Sequence, residues 1–458
     1  MKLTRIHHCK TLNDSKYEQL EKQAALLGAV RSKVWREYGS INGVGLRDRE
    51  IRDLWLKRGV DFEVPANPWK ETLRDAVSDI KAYREAAKEK VKKAIRERTS
   101  CKQELKRLYT LLKRDKWMED NFLRRQMRKH FKHGVNHTHN QIIVRADMCK
   151  TFELNGQCWL KVPSLVPRKT IQIPLNTTME FAPTGTLRII LKNGTVEVHS
   201  QYDIEVVEDC GTETVGVDKG FTEAFVDSDG DSFGEGLGKL ISSESDYLNQ
   251  KYRNRNKLRS VAKKKPHKRQ NILKNNLGRK KLDKRQDRQK SKLKTVIYTG
   301  AHRLVDKAGL IVCEDLTSPI QSKRNYGKNT NRRLNTWTKG ILADALSTVS
   351  QRRCSTLQVV NAAYTSQMDS FCHGLLVGTR KNDKFHRSNG DVVQADYNAA
   401  RNVLARNEDT EISLFTPYKK VREILQARTD RYKKSELTDL GSSYTLGNET
   451  LTEHELVA

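Results

Sequence analysis

Three short segments of this chain set a carboxylate against a stretch that belongs in a core. VGVDKG (215–220) carries Asp218 at the end of an apolar run, and GLIVCEDL (309–316) carries Glu314 at the end of another. ADYNAARN (395–402) opens a helix with Asp396, and its small Ala399 and Ala400 let that helix approach a sheet closely. A carboxylate among apolar strand residues is expensive to bury unless it is paired or coordinates a cation. Taken singly, each could be a strand-end acid facing water. Neighbours on a strand face opposite ways, so only one of Glu314 and Asp315 can point at a shared site. Carboxylates from separate strands that converge on one point are what two divalent ions need to clamp both oxygens of a phosphodiester displacement.

The order Asp218, Glu314, Asp396, the texts GVDKG (216–220) and DYNAARN (396–402), and TSQ at 365–367 together resemble the TnpB family. These are RNA-guided nucleases of insertion sequences and relatives of type V CRISPR effectors. The resemblance is sharp over roughly 211–405 and architectural over 1–210. It implies a RuvC-like domain in which Asp218, Glu314 and Asp396 are the catalytic, metal-binding carboxylates, with two Mg ions as cofactor. It also implies guide RNA and a target double-stranded DNA opened as an R-loop as partners. The expected particle is one protein molecule in a ribonucleoprotein, in a prokaryotic cytosol. The alternatives are a nuclease-inactive RNA-guided DNA-binding regulator, an RNase H-like transposase that joins strands, and a basic RNA-binding scaffold without chemistry. The scaffold accounts for the charge but not for the acids.

The charge points the same way. Lys and Arg number 86 against 56 Asp and Glu, a formal net charge of +30 over 458 residues. Self-repulsion on that scale disfavours a compact state unless an anion offsets it. Nucleic acid does so with release of its condensed counterions. No window approaches the roughly 18 apolar residues of a membrane span, and MKLTRIHHCK lacks the apolar core of a secretory signal. Eight scattered cysteines, among them Cys149, Cys158 and Cys313 in apolar runs, read as buried free thiols of a reducing compartment. The densest basic stretch is 251–294, with 20 Lys or Arg against Asp283 and Asp287. Single-signed charge of this kind repels along a free helix, which favours nucleic acid over a solvated face. The candidate contacts are Lys251, Arg253, Arg255, Lys263, Lys264, Lys265, Lys268, Arg269, Arg279, Lys280 and Lys281.

Patterning divides the chain. Helical spacing of Tyr17, Leu20, Ala24, Leu27, Val34 and Trp35 predicts a helix capped near Asp14 or Ser15. Further helices are expected over 68–100 and 103–131. From 141 onward, QIIVRAD, CWLKV, IQIPL, TLRIIL and TVEVHS are short β-rich runs with turn text between them. The expected fold is a multidomain α+β chain: residues 1–14 a first wedge strand, 15–135 a helical recognition lobe, and 136–210 a small OB-like β-barrel wedge domain. The RNase H-like (RuvC) α/β nuclease domain follows at 211–410, with a basic helical insert at 240–295. A helix from 417 and a disordered acidic tail end the chain. Trp337, Ile341, Leu342, Ala345, Leu346 and Val349 mark a helix packing on the nuclease sheet.

Three segments tempt a metal reading. DSDGDSFGEG (227–236) fails the calcium-loop template, since glycine is fourth rather than sixth and Gly238 stands where Glu is needed. A hairpin turn is expected instead. His133, His137 and His139 have no fourth partner and read as an exposed basic loop. Relatives often carry a zinc ribbon at 366–392. Here its ligand positions fall on Asp369, Cys372, His386 and Asn389, a poor tetrahedral set, so zinc is not expected. Arg380 and Arg387 in this segment could reach a phosphate.

Overall fold

The computed structural model describes residues 2–9, 12–176, 182–192, 194–316, 329, 332–333 and 339–445, with side chains to 434. It is a mixed α/β chain of two compact units that part between Ile204 and Glu205.

The first unit begins with strand β1 (Lys2–Cys9) and helix α1 (Asp14–Tyr38). The cap of α1 is Asn13, whose side chain accepts from the Lys16 backbone N–H at 3.0 Å, rather than Asp14 or Ser15. Helices α2 (Asp48–Lys57), α3 (Ala66–Arg98), α4 (Lys102–Lys113) and α5 (Asn121–His130) follow. The single helix expected over 103–131 is two. Asp115 adopts φ 57° at the break, and its carboxylate pairs with the buried Lys88 at 2.8 Å and Arg84 at 3.2 Å. Those two cations need an acid at a place a continuous helix could not supply.

Six more strands complete the unit: β2 (Gln141–Val144), β3 (Lys150–Leu154), β4 (Gln157–Pro163), β5 (Thr170–Asn176), β6 (Leu187–Lys192) and β7 (Thr195–Asp203). They form an antiparallel seven-stranded sheet in the order β2-β6-β7-β1-β5-β4-β3, so the first strand of the chain lies in its middle. Strand β3 has an exposed, polar face and left no apolar alternation to read. Helix and sheet share one core, with Leu27, Leu73 and Ile95 in the same cluster as Ile173, Ile189 and Val198.

The second unit opens with β8 (Glu213–Asp218), β9 (Phe225–Asp227) and β10 (Ser232–Phe233). Helices α6 (Leu237–Lys264), α7 (Pro266–Asn275) and α8 (Lys280–Lys307) lead to β11 (Ala308–Glu314). Helix α9 (Lys339–Arg352) and β12 (Thr356–Val360) finish a five-stranded sheet of order β10-β9-β8-β11-β12. Strands β8, β11 and β12 are parallel, and β9 runs antiparallel to β8. Leu342, Ala345, Leu346 and Val349 of α9 pack into the sheet's core with Ile297, Ala301 and Leu304 of α8. Trp337 lies outside the described residues.

A small antiparallel sheet, β13 (Thr379–Lys381), β14 (Lys384–His386) and β15 (Val392–Gln394), feeds directly into α10 (Ala395–Arg406). Helix α10 lies against β8 at backbone distance. A Cβ on Gly216 would fall 2.3 Å from the Ala400 carbonyl and 2.6 Å from Leu404. The last helix, α11 (Tyr418–Thr445), continues through 436–445, where a disordered tail was expected. No described helix is long and apolar enough to cross a membrane. Of the three cysteines expected in the core, Cys313 is buried while Cys149 and Cys158 are half-buried, and all eight are free thiols.

Candidate functional site at the strand ends of the second unit

Parallel pairing of β8 with β11 sets Cys313 opposite Val217, so Asp218 and Glu314 end adjacent strands side by side. Glu314 is 7% exposed and Asp218 half-buried. Burial, more than anything else, raises both carboxyls above their ordinary range. Repulsion from Glu314 and then Asp396 raises Asp218 further. Around Glu314 the Lys219 ammonium, Asp218 and Thr365 pull the other way without cancelling the burial. Asp218 and Glu314 are close enough that the charge on one raises the cost of charging the other.

Lys219 turns away from the Asp218 carboxylate, as strand alternation requires. It is buried, its ammonium donates to the Glu314 carbonyl oxygen, and it lies 3.5 Å from the Cys313 sulfur. It therefore ties the two strand ends together. Thr365, of the TSQ text, also supports the ionised Glu314.

Asp396 sits in the first turn of α10 with its side chain 14% exposed, close enough to raise Asp218 electrostatically. Its own oxygens are engaged elsewhere. Arg380, on β13, donates to Oδ1 at 2.9 Å, and Gln394 reaches Oδ2 at 3.5 Å. Charge coupling acts over longer distances than coordination. This is why the three acids feel one another although no three His, Cys, Asp or Glu among the described residues stand as a ready ligand set. Two further acids that sequence reasoning missed lie in the same field. Glu223, in the β8–β9 connection, is raised by burial and then by Asp396 and Asp383. No text around either residue marks it.

The oxygen-only donor set, two members of it desolvated, fits a hard divalent cation. A bound cation would supply the countercharge that the pair lacks.

Asn398 and Asn402 do something the sequence did not suggest. Both are buried in α10, and both donate to the Met368 carbonyl, at 2.7 and 2.8 Å. Asn402 also donates to the Thr365 carbonyl, and Asn398 accepts from the Ser370 N–H. They pin the turn that carries Thr365 onto the helix that carries Asp396.

The four zinc-ribbon positions are not assembled around a common point. Asp369 is fully buried and accepts from the Phe371 N–H at 2.9 Å and from Arg387 at 3.4 Å. Arg387 bridges on to Asp391 at 2.8 Å and lies over the Phe371 ring, and Asn389 donates to the same Asp391. Arg387 is thus committed to the loop, not open to a phosphate. Cys372 and His386 are half-buried. His133, His137 and His139 are exposed.

Of the basic candidates, Lys251, Arg253, Lys263, Lys264, Lys265, Lys268, Arg269, Arg279, Lys280 and Lys281 are exposed on α6 to α8 or the turns between them. Arg279 pairs with Asp283 at 3.2 Å. Arg255 is a correction. It is 4% exposed and donates to the carbonyls of Leu277 and Gly278, so it fastens the α7–α8 turn to α6.

No family model matches this chain, and no curated protein does. Among solved structures it is similar to the Cas12f1–sgRNA–target DNA complex, at 15% identity over 88% of this chain and 84% of that one, with a TM-score of 0.49. It is similar too to the mini-RNA-guided endonuclease CRISPR-Cas_phi3, at 10% identity over 88% and 92%, TM-score 0.48. CasPhi-2 (Cas12j) bound to crRNA matches at 10% identity over 89% and 99%, TM-score 0.38.

Proposed function

We propose that this chain is an RNA-guided DNA endonuclease that cuts by metal-assisted phosphodiester hydrolysis in an RNase H-like (RuvC) domain. The observation that carries the reading is the abutted pair Asp218 and Glu314 at the ends of parallel β8 and β11, with Asp396 in the first turn of α10 near enough to act on Asp218. The strand order of the sheet supports it: the first, fourth and fifth strands run parallel, and the second is antiparallel to the first.

Asp218, Glu314 and Asp396 would hold two Mg²⁺ ions, whose chemistry is to activate water and to stabilise the leaving 3′ oxygen. The chain's own residues do the preparing. Lys219 locks the strand ends, Thr365 partly offsets the burial of Glu314, and Asn398 and Asn402 fix the turn beside the site. The exposed cations of α6 to α8 would follow a nucleic-acid backbone, while guide pairing reads the target sequence. The helices and seven-stranded sheet of the first unit would bind the guide and a short motif beside the target.

The test is expression with the flanking genomic DNA, sequencing of the co-purifying RNA, and incubation with a plasmid matching it in Mg²⁺. Cleavage at the match, lost in Asp218→Asn, Glu314→Gln and Asp396→Asn while guided binding persists, is expected. Robust cutting by any one variant removes that residue from the site. Binding without cutting by the wild type leaves a guided DNA-binding regulator.

A further inference from the structure

We infer that Arg380 is a positioning residue that withholds Asp396 from the acid pair until a nucleic-acid phosphate draws the guanidinium away. The inference rests on the nuclease reading above and adds to it a built-in order: substrate first, full cation site second.

The geometry is specific. The Arg380 guanidinium is bonded to the Asp396 carboxylate at 2.9 Å, and its Nε is anchored on the Asn382 carbonyl at 3.0 Å. The other Asp396 oxygen is within 3.5 Å of the Gln394 amide, so both oxygens face protein donors. Arg380 lies on β13, whose three residues are all exposed, and its side chain is more open than that of Asp396. An anion arriving from solvent therefore meets the arginine before the aspartate.

Electrostatics explains why this pairing wins when nothing is bound. Asp218 and Glu314 already end adjacent parallel strands side by side, with Glu314 buried. A third ionised carboxylate pressed against them would raise the cost again. Held by Arg380, Asp396 has a direct ionic partner, and the guanidinium charge also reaches Asp218. A phosphodiester backbone competes for the guanidinium on equal chemical terms, since arginine binds phosphate and carboxylate with the same planar fork. Once the guanidinium is shared with phosphate, Asp396 has lost its counter-ion and can turn to a cation held by the pair.

The test reads cation binding rather than cutting. Mn²⁺ is titrated by electron paramagnetic resonance into the full-length protein, free and with a single-stranded DNA oligonucleotide. Arg380→Gln should bind Mn²⁺ roughly tenfold more tightly than wild type without DNA, the weight of one charge-assisted hydrogen bond. Arg380→Lys, which keeps the charge, should stay near wild type. DNA should tighten Mn²⁺ binding in wild type and add little in Arg380→Gln. The gain should vanish in the double variant Arg380→Gln with Asp396→Asn, which assigns it to that aspartate. Equal affinity in wild type and Arg380→Gln, a gain that survives in the double variant, or no Mn²⁺ binding by any form overturns the proposal. Cleavage assays on the same preparations separate the two readings. A Mn²⁺ shift that runs through Asp396 in a protein that never cuts DNA upholds the withholding role and sinks the nuclease.

Discussion

The hairpin acids of β9–β10 and the strand-end acids of β8 and β11 lie in one sheet and handle buried negative charge in opposite ways. Asp227 is 0% exposed, yet it is satisfied inside the protein. Its carboxylate accepts from the N–H groups of Asp229 and Asp231, and Lys307 lies within 2.8 Å of all three acids. An ammonium stands where a calcium reading of DSDGD would put an ion, and these carboxylates push the Lys307 pKa upward despite its partial burial. Asp218 and Glu314 feel Lys219, Lys339 and Arg380 through space, but burial still outweighs them. Lys219 is adjacent, but it spends its hydrogen bond on a backbone carbonyl, and both carboxyls stay raised. The fold has closed one acidic cluster with its own charge and left the other short of it. A buried deficit of this kind belongs where an ion or substrate is to supply the remainder.

The comparison breaks first at Lys307. Lys307→Met strands Asp227 in the core and should cost about 3–5 kcal/mol, with early amide exchange in β8 to β10. A loss under about 1 kcal/mol would mean that the hairpin acids hold themselves. The Arg387 cluster is a milder version of the same device, with a longer ion pair to a carboxylate that also has a backbone donor. Arg387→Met should cost about 1–3 kcal/mol and loosen the small sheet. The same protein should fold and act after zinc-selective chelation with Mg²⁺ resupplied. Stoichiometric zinc lost together with activity in Cys372→Ser would overturn this.

The strand-end pair should respond with the opposite sign. Both carboxyls are raised in the folded state, so the pair favours folding below the ordinary carboxylate range and loses that contribution as pH rises through the raised values. Asp218→Asn should match wild type near pH 4 and be more stable by about 1 kcal/mol near pH 7 without divalent ions. Excess Mg²⁺ should close the gap. A variant less stable than wild type at pH 7 would show the acids to be structural after all. The smallest expected effect on stability is at the surface. Replacing Lys263, Lys264 and Lys268 by Gln should shift stability by less than about 0.5 kcal/mol. It should nonetheless lower the salt slope of nucleic-acid binding by about 0.7–0.9 per lost contact. An unchanged slope returns these lysines to the solvent.

What the sequence made legible follows from where physics is local. Asp218 and Glu314 stood out because acids ending apolar runs are costly to bury, and where strand parity allowed only one of Glu314 and Asp315, the family resemblance selected Glu314. The α10 text announced itself through small residues, and Gly216 and Ala400 do meet across that contact. What stayed hidden depends on partners distant in the chain. Nothing near Lys307 says that it will meet residues 227–231. Arg255 looked like one more member of a basic run until the α7–α8 turn closed over it. Asn398 and Asn402 have as partners carbonyls thirty or more residues upstream, which no local text announces. Asp115 broke a helix for the sake of two cations on α3.

The contact at Gly216 has a kinetic consequence. With the α10 backbone already touching β8, the helix has no room to slide, and lifting it away would unpack Ala399, Ala400 and Val403 from the sheet. Whatever brings the Asp396 carboxylate to the other two must then be rotation about its own side-chain bonds. Rotamer changes take picoseconds to nanoseconds, whereas sliding helices and closing domains take microseconds or longer. Completing the site should be limited by the lifetime of one ion pair, and slow steps in turnover should be sought in the handling of nucleic acid rather than in the carboxylates.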